Sequence, residues 1–478
     1  MFRSPRPTAA ALLASALLAA CAVGPDYVRP TLDLPAAYKE AGDWTAAAPQ
    51  PADSRQPWWE AYGDATLNGL MADAARANQD LRVAEAQYRQ AQALAQEARA
   101  GLYPTVGASA GAARARTNSS GSAKTASTDS LGLSASWAPD LWGGVRRGIE
   151  AGEADVQASA DDLAGAQLSI QAALAQDYLQ LRSTDQLRDL YAATTAAYAR
   201  ALQLTQSQRA AGVALASDVA LAESQLASAQ AAATDLDATR ALLEHAIAVL
   251  TGRAPAQFSL APLPAFSATL PAAPVGLPSQ LLERRPDVAA AERRVAAANA
   301  GIGVARAAHY PNLVLSAGGG FSAAGLAGLF STPSRVWSLG AALAQTLFDG
   351  GLRDARDAQA VATFDAAAAT YKQTVLAAFQ QVEDQLATLR VLEREAGYQD
   401  QAVRAGQAAE RMALAQYRGG TASYLTVVTA QTQSLANQRA AVQLRGRQLA
   451  ASVALVAATG GGWSADPIPS PVAAQTSP

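Results

Sequence analysis

The chain repeats itself at an offset of 207 residues. Asp80-Leu81 and Ala84 recur as Asp287-Val288 and Ala291, Tyr103-Pro104 as Tyr310-Pro311, and Gly143-Gly144-Val145-Arg146 as Gly350-Gly351-Leu352-Arg353. Further on, Gly212 matches Gly420 and Thr251-Gly252 matches Thr459-Gly460, at an offset of 208. A register that slips by one residue over most of 478 residues is not a product of composition. It describes two copies of one structural unit, so fold and function are read per repeat.

Within the first copy, Leu67, Leu70, Ala74, Ala77, Leu81, Ala84, Tyr88 and Ala91 step by three and four, which predicts one helix over 66–100. Tyr103-Pro104 ends it, because proline cannot continue a helix and restrains its predecessor. The period then changes. Leu131, Leu133, Ala135 and Trp137 alternate with Ser130, Gly132, Ser134 and Ser136, the dyad of a strand with one apolar and one polar face. Strands are predicted over 105–116 and 130–142, with 117–128 as a polar loop. The second copy supplies a matching pair over 312–321 and 337–348, joined by a loop over 322–334. Alternating segments of this length are the sequence signal of a membrane barrel, and equally of a surface hairpin on a soluble domain.

After Gly143-Gly144 an unbroken helical stretch runs from Val145 to Gln208, on the order of 95 Å if continuous. No compact domain needs such a rod. Residues 209–216 form a turn in which Gly212 can take the left-handed cap, and Ser217-Asp218 restarts a helix that ends at Thr251-Gly252. The second copy follows the same course: helix from Ser279, hairpin, helix from Leu352 to Tyr417, turn at 419–422, and helix from Ser423 to Ala458. Half of the chain is hydrophobic but only 6% aromatic, with much alanine, which suits closely spaced helices better than a thick core. Three proline-bearing segments, 21–57, 253–278 and 461–478, lie outside the copies and either pack as a small belt or stay partly disordered. The division is therefore 1–20, 21–57, 58–252, 253–278, 279–460 and 461–478.

Residues 1–20 have the anatomy of an export signal: Arg3 and Arg6, then an apolar run from Thr8 to Leu18 too short to span a bilayer. The run closes as Leu18-Ala19-Ala20-Cys21, with the chain's sole cysteine last. That resembles a bacterial lipobox, which implies a diacylglyceryl group on Cys21, and Ala22 rather than an aspartate after it implies sorting to the outer membrane. Acyl chains anchor without spanning. No later segment offers 18 consecutive apolar residues, so a membrane crossing would have to be made by strands.

The most specific motif is Leu281-Leu282-Glu283-Arg284-Arg285-Pro286-Asp287-Val288, followed by Ala291-Glu292, Asn299-Ala300, Ile302-Gly303, Ala305-Arg306 and Tyr310-Pro311. It resembles the signature of the outer-membrane efflux factors, the TolC-like channels, in their NodT or OprM-type lipoprotein branch. Gly24-Pro25-Asp26-Tyr27, Trp58-Trp59 and Asp140-Leu141-Trp142-Gly143 match that branch as well. The resemblance covers nearly the whole mature chain. It implies a mainly α fold with a β-barrel portion. In a homotrimer, four strands per protomer would build a shared twelve-stranded outer-membrane barrel, and long coiled helices a periplasmic α-barrel.

The resemblance also implies where such a channel works. Its periplasmic rim would be the two interhelical turns, with Gly212, Val213, Ala214 and Leu215 in the first and Gly420, Thr421, Ala422 and Ser423 in the second meeting a periplasmic adaptor. The closed aperture of the family is held by an acid bonded to a tyrosine. The matching positions are Asp218 and Tyr417, with Arg209 and Arg418 flanking them. Family members often carry aspartates after the second turn; here those positions are Thr426 and Thr429, so an acidic ring there is in doubt.

Other chemistry finds no support. His245 and His309 are the only histidines and neither has a ligand partner at metal-binding spacing. Gly318-Gly319-Gly320 lacks the lysine of a phosphate loop, and Glu383-Asp384 reads as a solvated helix face. Arg285-Pro286-Asp287 reads as a helix start, with Pro286 in the first turn and Asp287 favoured by the dipole. A formal charge of −3 without basic runs argues against a nucleic-acid partner. The expectation is a non-enzymatic outer-membrane duct, without cofactor beyond the lipid on Cys21, that serves an inner-membrane pump of the resistance-nodulation-division type through an adaptor. The alternatives are a type I protein-secretion duct and a lipid-anchored scaffold without a pore.

Overall fold

The computed structural model describes residues 22–32, 35, 37–40, 57–119, 122–271 and 284–463. Cys21, the export signal, residues 272–283 and the tail after Trp463 lie outside them. In chain order the elements are α1 (Ala65–Ala77), α2 (Gln79–Ala100), β1 (Thr105–Ser119), β2 (Ser122–Trp137), α3 (Gly144–Ala210), α4 (Ala216–Leu250), α5 (Pro286–Ala307), β3 (Asn312–Ala323), β4 (Arg335–Ala344), α6 (Leu352–Arg418) and α7 (Tyr424–Ala458). The helices answer each other in length: α3 and α6 have 67 residues each, and α4 and α7 have 35 each. The described residues divide into two compact units, those within 22–32, 86–160 and 290–372 in one and the remainder in the other.

The first unit holds a four-stranded antiparallel sheet in the order β1-β2-β3-β4. Its first hairpin departs from the sequence expectation. Residues 117–128, expected as a loop, continue the ladder through Thr117↔Lys124 to Ser119↔Ser122. Serine and threonine are compatible with extended backbone, and ladder hydrogen bonds need no apolar side chains, so polarity alone misplaced the boundary. The second hairpin does open into a connection over 324–334, with two short 3₁₀ turns. Both β2 and β4 end short of the expected boundaries, at Trp137 and Ala344. In the same unit the segment after Cys21 is laid against helices: Val23 N–H donates to the Trp142 carbonyl at 3.1 Å, Asn299 Nδ2 to the Pro25 carbonyl at 3.0 Å, and the Arg147 guanidinium to Asp26 at 2.8 Å. Gly303 permits this approach, since a β-carbon there would lie 2.8 Å from the Val23 carbonyl oxygen.

The second unit is helical and contains the main core. Tyr62, Leu67, Met71, Leu174, Tyr178, Leu179, Leu181, Ile247 and Leu449 are buried in one cluster. Its polar tips are satisfied: Tyr178 Oη donates to Asp64 at 2.7 Å, Asp64 caps α1 by accepting from Leu67 N–H at 2.9 Å, and Tyr62 Oη pairs with Ser452 Oγ at 2.8 Å. Residues 255–270 are bound to the helices through a buried ion cluster. The Asp185 carboxylate, fully buried, accepts from Arg182 at 2.9 Å and Arg240 at 2.8 Å. It also accepts from Leu263 N–H at 3.0 Å, and Arg182 reaches the Ala261 carbonyl at 2.8 Å. A buried acid is tolerable only with this many donors around it.

The expected helix over 66–100 is two helices, because Asn78 interrupts it with φ −64° and ψ 131°. Its buried side chain donates to the Leu250 carbonyl at 2.9 Å and accepts from Leu81 N–H at 3.0 Å. The second copy makes the same joint with a different residue: Arg285 donates to the Ala458 carbonyl at 2.9 Å. In each copy the glycine after the last threonine then touches backbone. A β-carbon on Gly252 would lie 2.2 Å from the Ala77 carbonyl oxygen, and one on Gly460 1.7 Å from that of Arg284. Both glycines also hold positive φ, at +69° and +92°.

This pair of joints generates a test with an internal control. Gly252→Ala and Gly460→Ala each destabilise the folded chain by about 3 kcal/mol, combining left-handed strain with a backbone clash. Gly63→Ala, at φ +71° with nothing near its β-carbon, costs about 1 kcal/mol from strain alone. Denaturant unfolding compares the three; equal losses would contradict the joint.

Candidate functional site

Two surfaces of the chain are candidates for contact with something outside it. The first is the sheet. Its register sorts side chains into two unlike faces, since alternate residues point to opposite sides. One face carries the rows Trp137–Leu315–Ala341, Val106–Ala135–Ala317–Leu339 and Ala108–Leu133–Gly319–Trp337, with Leu313–Leu343 beyond them. Val106, Trp337 and Leu339 are each more than 70% exposed. A contiguous bare apolar face of this kind marks a membrane or partner surface, because soluble monomers do not leave one open.

The opposite face is small and polar. Its rows read Thr105–Ser136–Ser316–Gly340, Gly107–Ser134–Gly318–Ser338 and Ser109–Gly132–Gly320–Val336. Glycine stands beside serine repeatedly, and space explains why: a β-carbon on Gly340 would lie 2.9 Å from Ser316 Oγ, and one on Gly318 3.1 Å from Ser338 Oγ. No charged residue occurs in these rows. Strands β1 and β4 are the two edges of the sheet, and among the described residues each has one neighbour only. Among the described residues no helix is long and apolar enough to cross a membrane.

The second surface is the pair of interhelical turns, both in the second unit. Each closes a helix with a left-handed glycine, Gly212 at φ +76° and Gly420 at φ +72°. Val213 N–H donates to the Gln208 carbonyl at 2.8 Å and Thr421 N–H to the Gln416 carbonyl at 2.9 Å. These are matching caps for carbonyls that would otherwise be orphaned. The next helix starts differently in each. In the first turn Asp218, not Ser217, does the capping: its carboxylate accepts from Leu215 N–H at 3.1 Å. In the second, Ser423 Oγ lies 3.2 Å from Thr426 Oγ1. Val213 and Leu215 are 76% and 68% exposed, so the first turn presents bare aliphatic side chains.

Behind the turns sits a small core of Ala222, Ala413, Tyr417, Tyr424 and Val427. The Tyr417 and Tyr424 rings lie 5.3 Å apart at 58°. Burial pushes the Tyr424 phenol up, and a hydrogen bond with Thr205 works the other way. Tyr417 Oη is buried with no hydrogen-bond partner among the described residues. Asp218 and Tyr417 therefore share no bond within one chain; Asp218 spends its carboxylate on the cap. Arg209 and Arg418 are exposed. Neither forms an ion pair among the described residues. Thr429 Oγ1 bonds back to the Leu425 carbonyl at 2.9 Å, on the exposed side of α7. No group of three or more His, Cys, Asp or Glu among the described residues could hold a metal ion.

That Tyr424 packs behind the second turn was not read from the sequence, although a signal existed. Tyr424 stands where the first copy has Ala216, just as Tyr417 stands where it has Arg209. Both aromatic residues of the turn core are thus private to the second copy.

Comparison with known proteins points one way. The family model described as outer membrane efflux protein matches residues 70–253 and 277–461. The pyoverdine export outer membrane protein OpmQ of Pseudomonas aeruginosa is 34% identical over 462 residues, covering 94% of this chain and 96% of that protein. The toluene efflux pump outer membrane protein TtgF of Pseudomonas putida is 32% identical over 461 residues, covering 94% and 95%. The solved structure of the outer-membrane channel OprN aligns with a TM-score of 0.83 at 33% identity, over 93% of this chain and all of that one.

Tyr424→Ala removes the centre of the turn core and costs about 3–4 kcal/mol of local stability. Amide exchange in 417–428 accelerates accordingly, while 170–181 in the main core stays protected. Uniform acceleration over both regions would show that the turn core is not a separate cluster.

Proposed function

This chain belongs to the outer membrane efflux protein family, and from that footing we propose how its two surfaces work as one duct. It is an outer-membrane channel of an efflux system, with the TolC-like fold. The observation that carries the reading is the sheet: one apolar face, one glycine-serine face and two free edges. An edge strand is stable in a membrane only when it is paired, because lipid offers no hydrogen bonds. Three copies pair β4 of one chain with β1 of the next and close a twelve-stranded barrel. The apolar rows then face lipid, and the glycine-serine rows, themselves without charge, line the passage.

The long helices continue the passage through the periplasm. Their turns, with Val213 and Leu215 bare, receive the hairpins of a periplasmic adaptor, which links the duct to an inner-membrane pump of the resistance-nodulation-division type. The duct converts no energy. Its cargo is small organic molecules delivered by the pump, a reading supported by the pyoverdine and toluene exporters among its relatives. At rest the aperture is held by contacts between chains. Tyr417, whose buried hydroxyl lacks a partner within one chain, bonds the Asp218 carboxylate of a neighbouring copy, and Arg209 and Arg418 add to the lock.

Lipidation at Cys21 accords with the same arrangement. Val23 is tied to Trp142, five residues past the end of β2. Acyl chains on Cys21, two residues earlier in the sequence, would enter the leaflet nearest the helices.

Conductance in planar bilayers tests the gate. The full-length protein gives a small resting conductance. Asp218→Asn and Tyr417→Phe each raise open probability about tenfold or more, the worth of one charge-assisted hydrogen bond. Unchanged conductance in both variants would sink the lock. Radiolabelled palmitate enters the natural protein and not Cys21→Ser; equal labelling of the two would place the lipid elsewhere.

A further inference from the structure

Every charge on the sheet lies at one end of it. The strands and their connections carry Arg114, Arg116, Lys124 and Arg335 against a single acid, Asp129, while the apolar rows have none. The whole chain is formally −3, so this positive excess is a local segregation. It lies at the hairpin end, opposite the ends where the strands join helices.

The register separates these cations by chemistry. Arg114 pairs with Ser127 and Arg116 with Thr125, on the face that carries Ala110, Leu131 and Leu133. Arg335 stands on that same face opposite Phe321, one step beyond Trp337, about 7 Å along the strand. Lys124, opposite Thr117, lies on the other face with the serines and glycines. All three arginines are exposed, and none forms an ion pair among the described residues. Beside them Phe321 and Phe330 make an edge-on pair with ring centres 5.4 Å apart, the aromatic trim of a membrane interface.

An apolar wall topped by outward-facing guanidinium groups meets lipid headgroups at that height. Guanidinium grips phosphate with two parallel hydrogen bonds, which an ammonium cannot do. The lipid-facing cations are all arginine and the passage-facing one is lysine. We propose that Arg114, Arg116 and Arg335 form a phosphate-binding girdle that holds the phosphorylated glycolipid of the outer leaflet against the barrel wall. The proposal rests on the barrel reading above and adds a ligand to its outer rim.

Native mass spectrometry of the full-length protein in neutral detergent tests it with three probes: hexa-acylated diphosphoryl lipid A, the same lipid without phosphates, and phosphatidylglycerol. The natural protein retains the diphosphoryl glycolipid in preference to both others, and the preference weakens as salt rises. Each Arg→Gln change lowers that retention about fivefold. The triple Arg→Lys variant keeps part of it, and Lys124→Gln changes nothing. Equal retention of the phosphorylated and dephosphorylated glycolipids, equal retention of phosphatidylglycerol, or a loss in Lys124→Gln as large as in Arg114→Gln would each overturn the girdle. Conductance of the same preparations separates the two readings. A preparation that conducts but ignores phosphate refutes the girdle alone, whereas one that never conducts refutes the barrel beneath it.

Discussion

An unpaired strand edge in an apolar environment is the constraint on which everything else here depends. Among the described residues the chain forms one sheet of four strands, leaves β1 and β4 without outer neighbours, and makes one face too apolar for water. Each unmet backbone group in lipid costs several kcal/mol. Closure through other copies is the arrangement that meets them all, and it turns the glycine-serine face into the lining of a passage. Glycine and serine serve there for the same reason that valine and tryptophan serve outside: the inner face must be narrow and wettable, the outer broad and dry.

Duplication supplies the rest. Two helices of 67 residues and two of 35 recur in the same order, and each copy is locked at the same point, where a side chain caps the last carbonyl of the closing helix beside a glycine. Asn78 does this in one copy and Arg285 in the other. The contact is kept although the residue is not. At the turns the reverse holds: backbone caps match, while side chains diverge. Asp218 caps one turn, and Tyr417 and Tyr424 pack behind the other. Shared features build the frame, and the divergent ones sit at the turns.

Much of this was legible from the residues because period and punctuation are local. The Tyr-Pro stops, the Gly-Gly starts and the Thr-Gly ends bound every long helix to within a few residues. What was not legible depends on partners distant in the chain. Asn78 breaks a helix that Leu70 to Ala84 would otherwise continue, because its amide finds the Leu250 carbonyl 172 residues away. Residues 117–128 look like a loop by composition and are a ladder by pairing. Ser217 and Asp218 look like N-cap residues by type, yet Leu215 is the N-cap and Asp218 caps it from inside the first turn. The absence of a bond between Asp218 and Tyr417 within one chain belongs to the same class, since the cap on Leu215 that engages Asp218 depends on the turn's backbone.

The central claim is that β1 and β4 are joined between copies and that three copies complete the ring. Cysteines placed singly along β1 at Ser109 and along β4 at residues 336–340, in a Cys21→Ser background, test it by oxidation in native outer membranes. At least one pairing traps a ladder of one, two and three linked chains that stops at three. No crosslink at any register, or a ladder that continues past three chains, would contradict it.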